Sequence, residues 1–130
     1  MSLPMVGGAP AAPQDVTVDA ELKQRLDELV QNNDLVLFMK GTPEQPQCGF
    51  SARAAQVYQG TGQPFQAINV LEQGDNPMAF IRAVGVWADW PTLPQCWVKG
   101  ELIGGSDVAV ELYESGELFE MLGIERPAAE

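Results

Sequence analysis

Hydrophobic positions near the start of the chain follow a helical spacing and then a continuous run. In residues 19–32, apolar side chains recur every three or four positions and polar side chains fill the positions between them. This spacing predicts an amphipathic helix. Residues 35–39, Leu-Val-Leu-Phe-Met, contain no polar position, which is typical of a short strand covered on both faces of a sheet.

A proline-containing loop and a second helix should follow this strand. Residues 41–47 include two prolines, which lack a backbone donor and keep their neighbours out of the helical conformation. The pattern then predicts a second helix over about 48–59, with Phe50, Ala54 and Val57 on one face. This helix would lead the chain back across the sheet.

Strand and helix signals continue in the second half of the chain. Residues 65–70 predict a second strand, parallel to the first because a helix connects the two. Asn76 and Pro77 have the form of a helix start, with asparagine as the cap and proline at the first helical position. We expect this third helix to end near Trp87. The segment 90–94 contains two prolines and predicts an extended entry into a third strand.

A hairpin and a last helical region complete the pattern. Residues 95–98 and 102–103 predict two strands joined by a tight turn at 99–101. The last helical region contains one internal glycine break, and either Ser106 or Asp107 could act as its cap.

The predicted order of elements is α-β-α-β-α-β-β-α. This order indicates an α/β fold with a central four-stranded mixed sheet flanked by helices. We assign residues 16–125 to a single domain. Residues 1–15 are rich in Gly, Ala and Pro and lack periodicity, so we predict a flexible N-terminal tail, and we treat 126–130 as a C-terminal tail.

Composition excludes several classes of function for this chain of 130 residues. It contains no histidine, which removes every catalytic or metal site that needs an imidazole. Its formal net charge is -11, from 7 basic and 18 acidic residues, and argues against nucleic acid as a partner, because phosphate binding needs clustered lysine and arginine. No apolar run approaches the roughly 20 residues of a membrane span, so we expect no membrane insertion.

Cysteine usage indicates a reducing compartment. Cys48 and Cys96 are the only two cysteines, too few for a disulfide scaffold or for a zinc or iron-sulfur site within one chain. Cys96 falls in a predicted central strand, where a packed thiol is the ordinary outcome. We expect a cytoplasmic protein, with the mitochondrial matrix or the plastid stroma as alternatives if a targeting peptide has been removed.

Cys48 is the strongest candidate for chemistry. At the predicted start of the second helix, free backbone N–H groups and the positive end of the helix favour a thiolate over a thiol. Lys40, at the exit of the first strand, could add a positive charge nearby. Ser51 occupies the place of the second thiol in a Cys-x-x-Cys motif, so no local disulfide can form. Either an outside thiol resolves a mixed disulfide, or the thiolate serves as a ligand.

Three separated motifs carry a family resemblance. They are KGTPEQPQCGFS at residues 40–51, WPTLPQ at 90–95 and GGSD at 104–107. Over about residues 19–124 the chain resembles the monothiol glutaredoxins with a Cys-Gly-Phe-Ser active site. The resemblance implies a thioredoxin-like fold, glutathione binding, and a role in carrying [2Fe-2S] clusters for iron-sulfur protein assembly.

The resemblance also implies which residues bind glutathione. Leu93, beside a cis Pro94, would pair with the glutathione backbone, and Ser106 and Asp107 would receive its γ-glutamyl end. A helix N-terminus suits a carboxylate, and Asp107 could accept the ammonium group. Lys40 would hold the glycine carboxylate. Without the resemblance, Ser106 and Asp107 are explained equally well as helix caps. The alternative for Lys40, a solvated surface lysine, is the less favoured of its two interpretations.

A [2Fe-2S] cluster needs four thiolate-type ligands, whereas one chain offers one well-placed sulfur, that of Cys48. The resemblance implies that two chains and two glutathione thiolates complete the set in a homodimer. A heterodimer with a BolA-like protein and transfer to iron-sulfur apo-proteins are further implied partnerships. Two copies of Cys48 and Cys96 would also supply four sulfurs. Phe50 could pack over a cluster and limit water access, and Trp90 could border the glutathione groove.

Two positions depart from the family pattern. Ser106 stands where family members often have a cysteine, so a disulfide between this position and Cys48 is impossible. The connection before the third helix is longer than usual, and Arg82 is the only nearby candidate for the basic residue that grips the glycine carboxylate. A plain surface arginine explains Arg82 equally well.

The same thiolate suits a second function, that of a glutathione-dependent oxidoreductase that removes glutathione from protein thiols through a Cys48 mixed disulfide. Ser51 and the proline-containing loop favour the cluster carrier, because they impair local resolution of that disulfide. A third hypothesis, an interaction module without redox or metal chemistry, would require an inert Cys48.

Overall fold

The computed structural model describes residues 18–126 and confirms the predicted order of elements. Within this range, no helix is long and apolar enough to cross a membrane. The predicted N-terminal tail, 1–15, lies outside the described residues, as do residues 127–130 of the predicted C-terminal tail. The helices and strands are α1 (Ala20–Asn32), β1 (Leu35–Met39), α2 (Gly49–Gly60), β2 (Gln66–Asn69), α3 (Pro77–Ala88), β3 (Gln95–Val98), β4 (Glu101–Gly104), α4 (Ser106–Ser115) and α5 (Glu117–Leu122).

The four strands form one mixed sheet in the order β2-β1-β3-β4. β1 and β2 run parallel, with Leu37 opposite Ala67, as expected when a helix connects two strands. β3 is antiparallel to both β1 and β4. The mixed four-stranded sheet flanked by helices is therefore confirmed.

The apolar sequence of β1 is explained by its central place in the sheet, where all five of its residues are buried. Leu35, Leu37 and Met39 belong to the core that includes residues of α2, α4 and α5. Val36 and Phe38 belong to the core on the other face, which includes residues of α1 and α3. Because side chains alternate along a strand and helices cover both faces, β1 has no position for a polar residue.

Strand ends differ slightly from the prediction. β2 is shorter than the predicted 65–70, because the chain enters a 3-10 turn, Val70–Glu72, that the sequence did not indicate. The tight turn between β3 and β4 is confirmed. Its residues Lys99 and Gly100 have φ angles of 51° and 83°, the left-handed pair that a two-residue hairpin requires.

Phe50 differs in burial from Ala54 and Val57, the two residues that were predicted to share its face of α2. The other two side chains are buried, whereas Phe50 is 58% exposed. Phe50 lies in the first turn of α2, which begins at Gly49, and in that turn it is the neighbouring Ser51 that is buried.

The predicted cap of the last helical region is wrong. Neither Ser106 nor Asp107 is the cap of α4, because the helix already begins at Ser106 and its N-cap is Gly105. Gly104, with a φ of 133°, turns the chain into the helix, and a Cβ there would approach Val108 Cγ2 to 3.0 Å. The predicted break in this helical region is confirmed at Gly116, which separates α4 from α5.

Aromatic residues link β3 to the helices behind it. Trp97 of β3 is only 9% exposed and lies in the core. Its ring stacks on that of Trp87 with centroids 4.8 Å apart, and Trp87 Nε1 donates to Asp27 Oδ1 of α1 at 2.8 Å. On the opposite face, Tyr58 Oη donates to the Trp97 carbonyl oxygen at 2.9 Å.

The loop before α2 turns tightly on Gly41. This residue has a φ of 93°, and a Cβ there would lie 2.5 Å from the Gln45 carbonyl oxygen. The Gln47 N–H donates to the Lys40 carbonyl oxygen at 2.9 Å and closes the loop. A side chain at position 41 therefore requires the loop to open.

We predict that Gly41→Ala destabilises the protein more than Gly62→Ala does. Gly62 also has a positive φ, 75°, but nothing lies within 4 Å of the position of its Cβ. The control variant should cost only the left-handed strain, roughly 1 kcal/mol, while Gly41→Ala adds a backbone clash. Urea unfolding curves measure both free energies, and equal losses would contradict the described loop.

Candidate functional site

Cys48 lies between the active loop, residues 40–47, and the first turn of α2. It is the N-cap residue of the helix, has an extended backbone and is partly exposed. Its position in the chain after β1 places Cys48 at the end of the sheet where β1 finishes. The predicted location of this thiol at a helix start is confirmed.

The pKa of Cys48 is lowered, and the largest cause is the backbone N–H of Ser51. Partial burial opposes this effect, whereas the Phe50 N–H, the Ser51 hydroxyl and the Lys40 charge add to it in decreasing order. The Cys48 side chain accepts no capping hydrogen bond. The first-turn N–H groups therefore act through their partial positive charges, which favour negative charge on the nearby sulfur. The predicted effect of Lys40 has the expected sign and is the smallest contribution.

Ser51 has a structural task in addition to its effect on the thiol. Its side chain is buried, and its Oγ accepts a hydrogen bond from the Lys40 N–H at 3.1 Å. This bond ties the first turn of α2 to the end of β1. Ser51 therefore helps to fix where the first-turn N–H groups lie relative to Cys48.

Asn69 anchors the other side of the active loop, a contact that the sequence analysis missed. Its Oδ1 accepts hydrogen bonds from the Gly41 and Leu71 N–H groups, each at 3.0 Å. An asparagine at the end of a strand often accepts hydrogen bonds from nearby backbone groups, and this was the available signal. Its long-range bond to Gly41 could not be seen in the sequence.

Cys96 is inaccessible to ligands and reagents. It is fully buried in β3, and burial raises the pKa of its thiol to about 12. The predicted packed role is confirmed, and a cluster held by two copies of Cys48 and Cys96 is disfavoured. Residues 18–126 contain no group of three Cys, Asp or Glu side chains arranged to hold a metal ion.

A groove of about 390 Å³ opens beside the first turn of α2. One wall comes from the segment before β3, which contains the cis bond between Leu93 and Pro94 that the resemblance implied. The opposite wall comes from the start of α4, and the exposed Phe50 ring lies at one side. The lining residues are Phe50, Trp90, Thr92, Leu93, Pro94, Gly105, Ser106, Asp107 and Val108.

The groove brings together Leu93, Pro94, Ser106 and Asp107, which the sequence analysis assigned to one site. Lys40 lies outside the groove lining, close enough to Cys48 to affect its pKa. Arg82 is exposed on α3 and is not part of the lining. The glutathione contacts expected of these residues stay predictions.

The end of the groove at α4 is suited to a ligand that carries both charges. Because the N-cap, Gly105, has no side chain, the first-turn N–H groups of α4 receive no capping bond and can bind an anion. The exposed Asp107 carboxylate can accept an ammonium group. Arg53 Nη1 lies 3.9 Å from Asp107 Oδ1, a contact the sequence analysis missed. Exposed pairs of this kind are weak and can open for a ligand.

We predict that Cys48 is alkylated rapidly and that Cys96 stays unmodified in the folded protein. As pH falls, the reaction of Cys48 with iodoacetamide should slow with a midpoint below the ordinary cysteine pKa of about 8.5, because its lowered pKa preserves the thiolate. Mass spectrometry after digestion measures both sites. A midpoint at or above the ordinary value, or early labelling of Cys96, would contradict the described environments.

Comparison with known proteins agrees with this geometry. The profile of the Glutaredoxin family matches residues 35–103. A protein of Synechocystis sp. named "uncharacterized monothiol glutaredoxin ycf64-like" is 42% identical over 107 residues, which cover 82% of this chain and 96% of that protein.

Solved structures give the same result and confirm the thioredoxin-like fold. The solution structure of reduced poplar apo GrxS14 is 41% identical, has a TM-score of 0.65, and the match covers 78% of this chain and 90% of the poplar chain. The crystal structure of a buckwheat glutaredoxin-glutathione complex is 30% identical, with a TM-score of 0.66 and coverage of 78% and 86%. The chain described here belongs to the glutaredoxin family.

Proposed function

We propose that this protein is a monothiol glutaredoxin of the Cys-Gly-Phe-Ser type that carries a [2Fe-2S] cluster and transfers it to apo-proteins. The supporting observation is one accessible sulfur with a lowered pKa, Cys48, beside a groove and without a second thiol to react with it. Such a sulfur can bind a ligand from outside the chain, because its own motif contains no second thiol with which it could form a disulfide.

Glutathione is the proposed ligand of the groove. The extended 90–94 segment offers backbone groups along one wall, and the start of α4 offers N–H groups and the Asp107 carboxylate at its end. These features match the peptide backbone of glutathione and the zwitterionic γ-glutamyl group. The buckwheat relative is a glutaredoxin-glutathione complex, which supports the same ligand here. We assign Lys40 to the glycine carboxylate, with Arg82 as a second candidate.

The cluster is the proposed cargo, held between two subunits. One chain supplies a single accessible thiolate, since Cys96 is buried and Ser106 is not a cysteine. Four thiolate-type ligands are therefore reached with Cys48 of two chains and two glutathione thiolates. Exchangeable ligands at the protein surface would allow the cluster to leave for an iron-sulfur apo-protein.

The arrangement around Ser51 supports the carrier over the oxidoreductase. A mixed disulfide on Cys48 would find no second thiol in the motif, because residue 51 is a serine, whose hydroxyl cannot displace a thiol from the disulfide. Release would then depend on another glutathione molecule. Slow turnover in a glutathione-recycling disulfide assay agrees with the carrier, and vigorous turnover would favour the enzyme.

The proposed assembly is a homodimer when the cluster is bound, with a BolA-like protein as an alternative partner. Each chain has a formal net charge of -11, so two copies repel each other at low ionic strength. The cluster and glutathione must offset this repulsion, which would make the apo-protein a monomer. We place this chemistry in the cytoplasm, where thiols stay reduced.

We predict that anaerobic reconstitution with iron, sulfide and glutathione gives a coloured dimer. Cys48→Ser should give a colourless monomer because it removes the protein ligand, whereas Cys96→Ser should behave like the wild type because that thiol is buried. Visible absorption and size-exclusion chromatography measure both properties. Equal cluster content in Cys48→Ser, or full cluster content without glutathione, would contradict the proposal.

Glutathione affinity gives an independent test of the groove. We predict that Asp107→Asn weakens binding about 10-fold, because a charge-assisted hydrogen bond to the ligand ammonium group is lost. Glu114→Gln is the matched control, since Glu114 is an exposed acid of the same helix that does not line the groove. Isothermal titration calorimetry measures both, and indistinguishable affinities for the two variants would argue against this placement of the ligand.

A further inference from the structure

Gln95 joins the hydrophobic core to the groove wall. It is the first residue of β3, follows the cis Pro94 and is only 1% exposed. Its Nε2 donates to the Trp90 carbonyl oxygen at 3.2 Å, and its Oε1 accepts from Trp97 Nε1 at 3.2 Å. A buried amide with a partner at each end has one defined orientation.

The core fixes that orientation. Trp97 stacks on Trp87, and Trp87 is held by its hydrogen bond to Asp27 of α1. If the Gln95 amide were reversed, its NH₂ group would face the Trp97 N–H and its oxygen would face the Trp90 carbonyl. Both contacts would be repulsive, so Gln95 presents its donor to the wall.

The groove wall has few other attachments at this point. The Trp90 N–H donates to the Gly85 carbonyl oxygen at 3.0 Å, and Gln95 binds the Trp90 carbonyl. The Trp90 side chain adds no hydrogen bond, because its buried Nε1 has no partner among the described residues. Pro91 and Pro94 in the same segment have no N–H to donate. Two hydrogen bonds therefore hold the Trp90 backbone, one to the Gly85 carbonyl oxygen of α3 and one from Gln95.

We propose that Gln95 is a positioning residue for the groove. By holding the Trp90 carbonyl it fixes the 90–94 wall, which supplies Trp90, Thr92, Leu93 and Pro94 to the lining, at its distance from the start of α4. The groove affinity for its ligand then depends on a side chain that does not line the groove. The identity of that ligand, glutathione, rests on the proposed function.

The test compares Gln95→Met with Tyr58→Phe. Methionine keeps a similar length and removes both hydrogen bonds, while Tyr58→Phe removes one buried hydrogen bond to the backbone of β3 away from the groove lining. Both variants should lower the melting temperature. Gln95→Met should weaken glutathione binding about 10-fold and speed hydrogen exchange at the Trp90 amide, while Tyr58→Phe should leave binding within twofold of the wild type and that exchange slow.

A second variant, Gln95→Glu, covers the case in which Gln95→Met does not fold. A protonated glutamic acid can donate to the Trp90 carbonyl as glutamine does, whereas its carboxylate repels that oxygen, and burial favours the protonated form. Its glutathione affinity, relative to the wild type at the same pH, should be near normal at pH 5 and reduced at pH 8. A merely structural role would not produce this recovery.

The outcomes separate this inference from the proposed function. If the wild type does not bind glutathione, the proposed function fails, and amide exchange at Trp90 still decides the role of Gln95. Unchanged exchange at Trp90 in Gln95→Met overturns the inference. Equal losses of glutathione affinity in Gln95→Met and Tyr58→Phe overturn it as well, because they would reflect general destabilisation.

Discussion

The lowered pKa of Cys48 depends on the backbone N–H groups in the first turn of α2. These groups are the largest source of the lowered thiol pKa, and they lie where they do because Ser51 binds the backbone at the end of β1. The strand is in turn fixed by the core on each face of the sheet. The pKa of this partly exposed thiol is therefore set by contacts that begin in the buried core of the fold.

The groove depends on the antiparallel pairing of β3 and β4. Its two walls are separated in sequence by the β3–β4 hairpin, and antiparallel pairing of these strands brings the start of β3 beside the end of β4. The cis bond before Pro94 precedes one strand, and Gly104 and Gly105 follow the other. The groove and Cys48 thus lie at the same end of the sheet, and Phe50, from the first turn of α2, is one of the residues that line the groove.

Much of the fold could be predicted because the local signals agree with the tertiary structure. The apolar run of β1, the Asn76-Pro77 start of α3 and the Lys99-Gly100 turn each reflect constraints that act within a few residues. The exposure of the Phe50 side chain was not predicted, because helical periodicity does not show where the core ends. The cap of α4 was not predicted correctly, because Gly105, with an extended backbone, precedes the helix without a capping side chain.

Only part of the site could be predicted from the sequence, for a similar reason. Leu93, Pro94, Ser106 and Asp107 belong to motifs and were assigned together, whereas Asn69 and Arg53 act through long-range contacts that no local spacing reveals. Gln95 acts through side-chain hydrogen bonds to nearby residues, which the sequence pattern does not show. Arg82 shows the opposite case, since the family resemblance suggested a ligand contact for a residue that lies outside the groove lining.

We propose that one sulfur per chain, completed by glutathione, holds a cluster between two subunits. Native mass spectrometry of the anaerobically reconstituted protein measures the composition of this assembly. We expect one species with the mass of two chains, two glutathione molecules, two iron ions and two sulfides. A cluster-containing species with a single chain, or a dimer without glutathione, would contradict it.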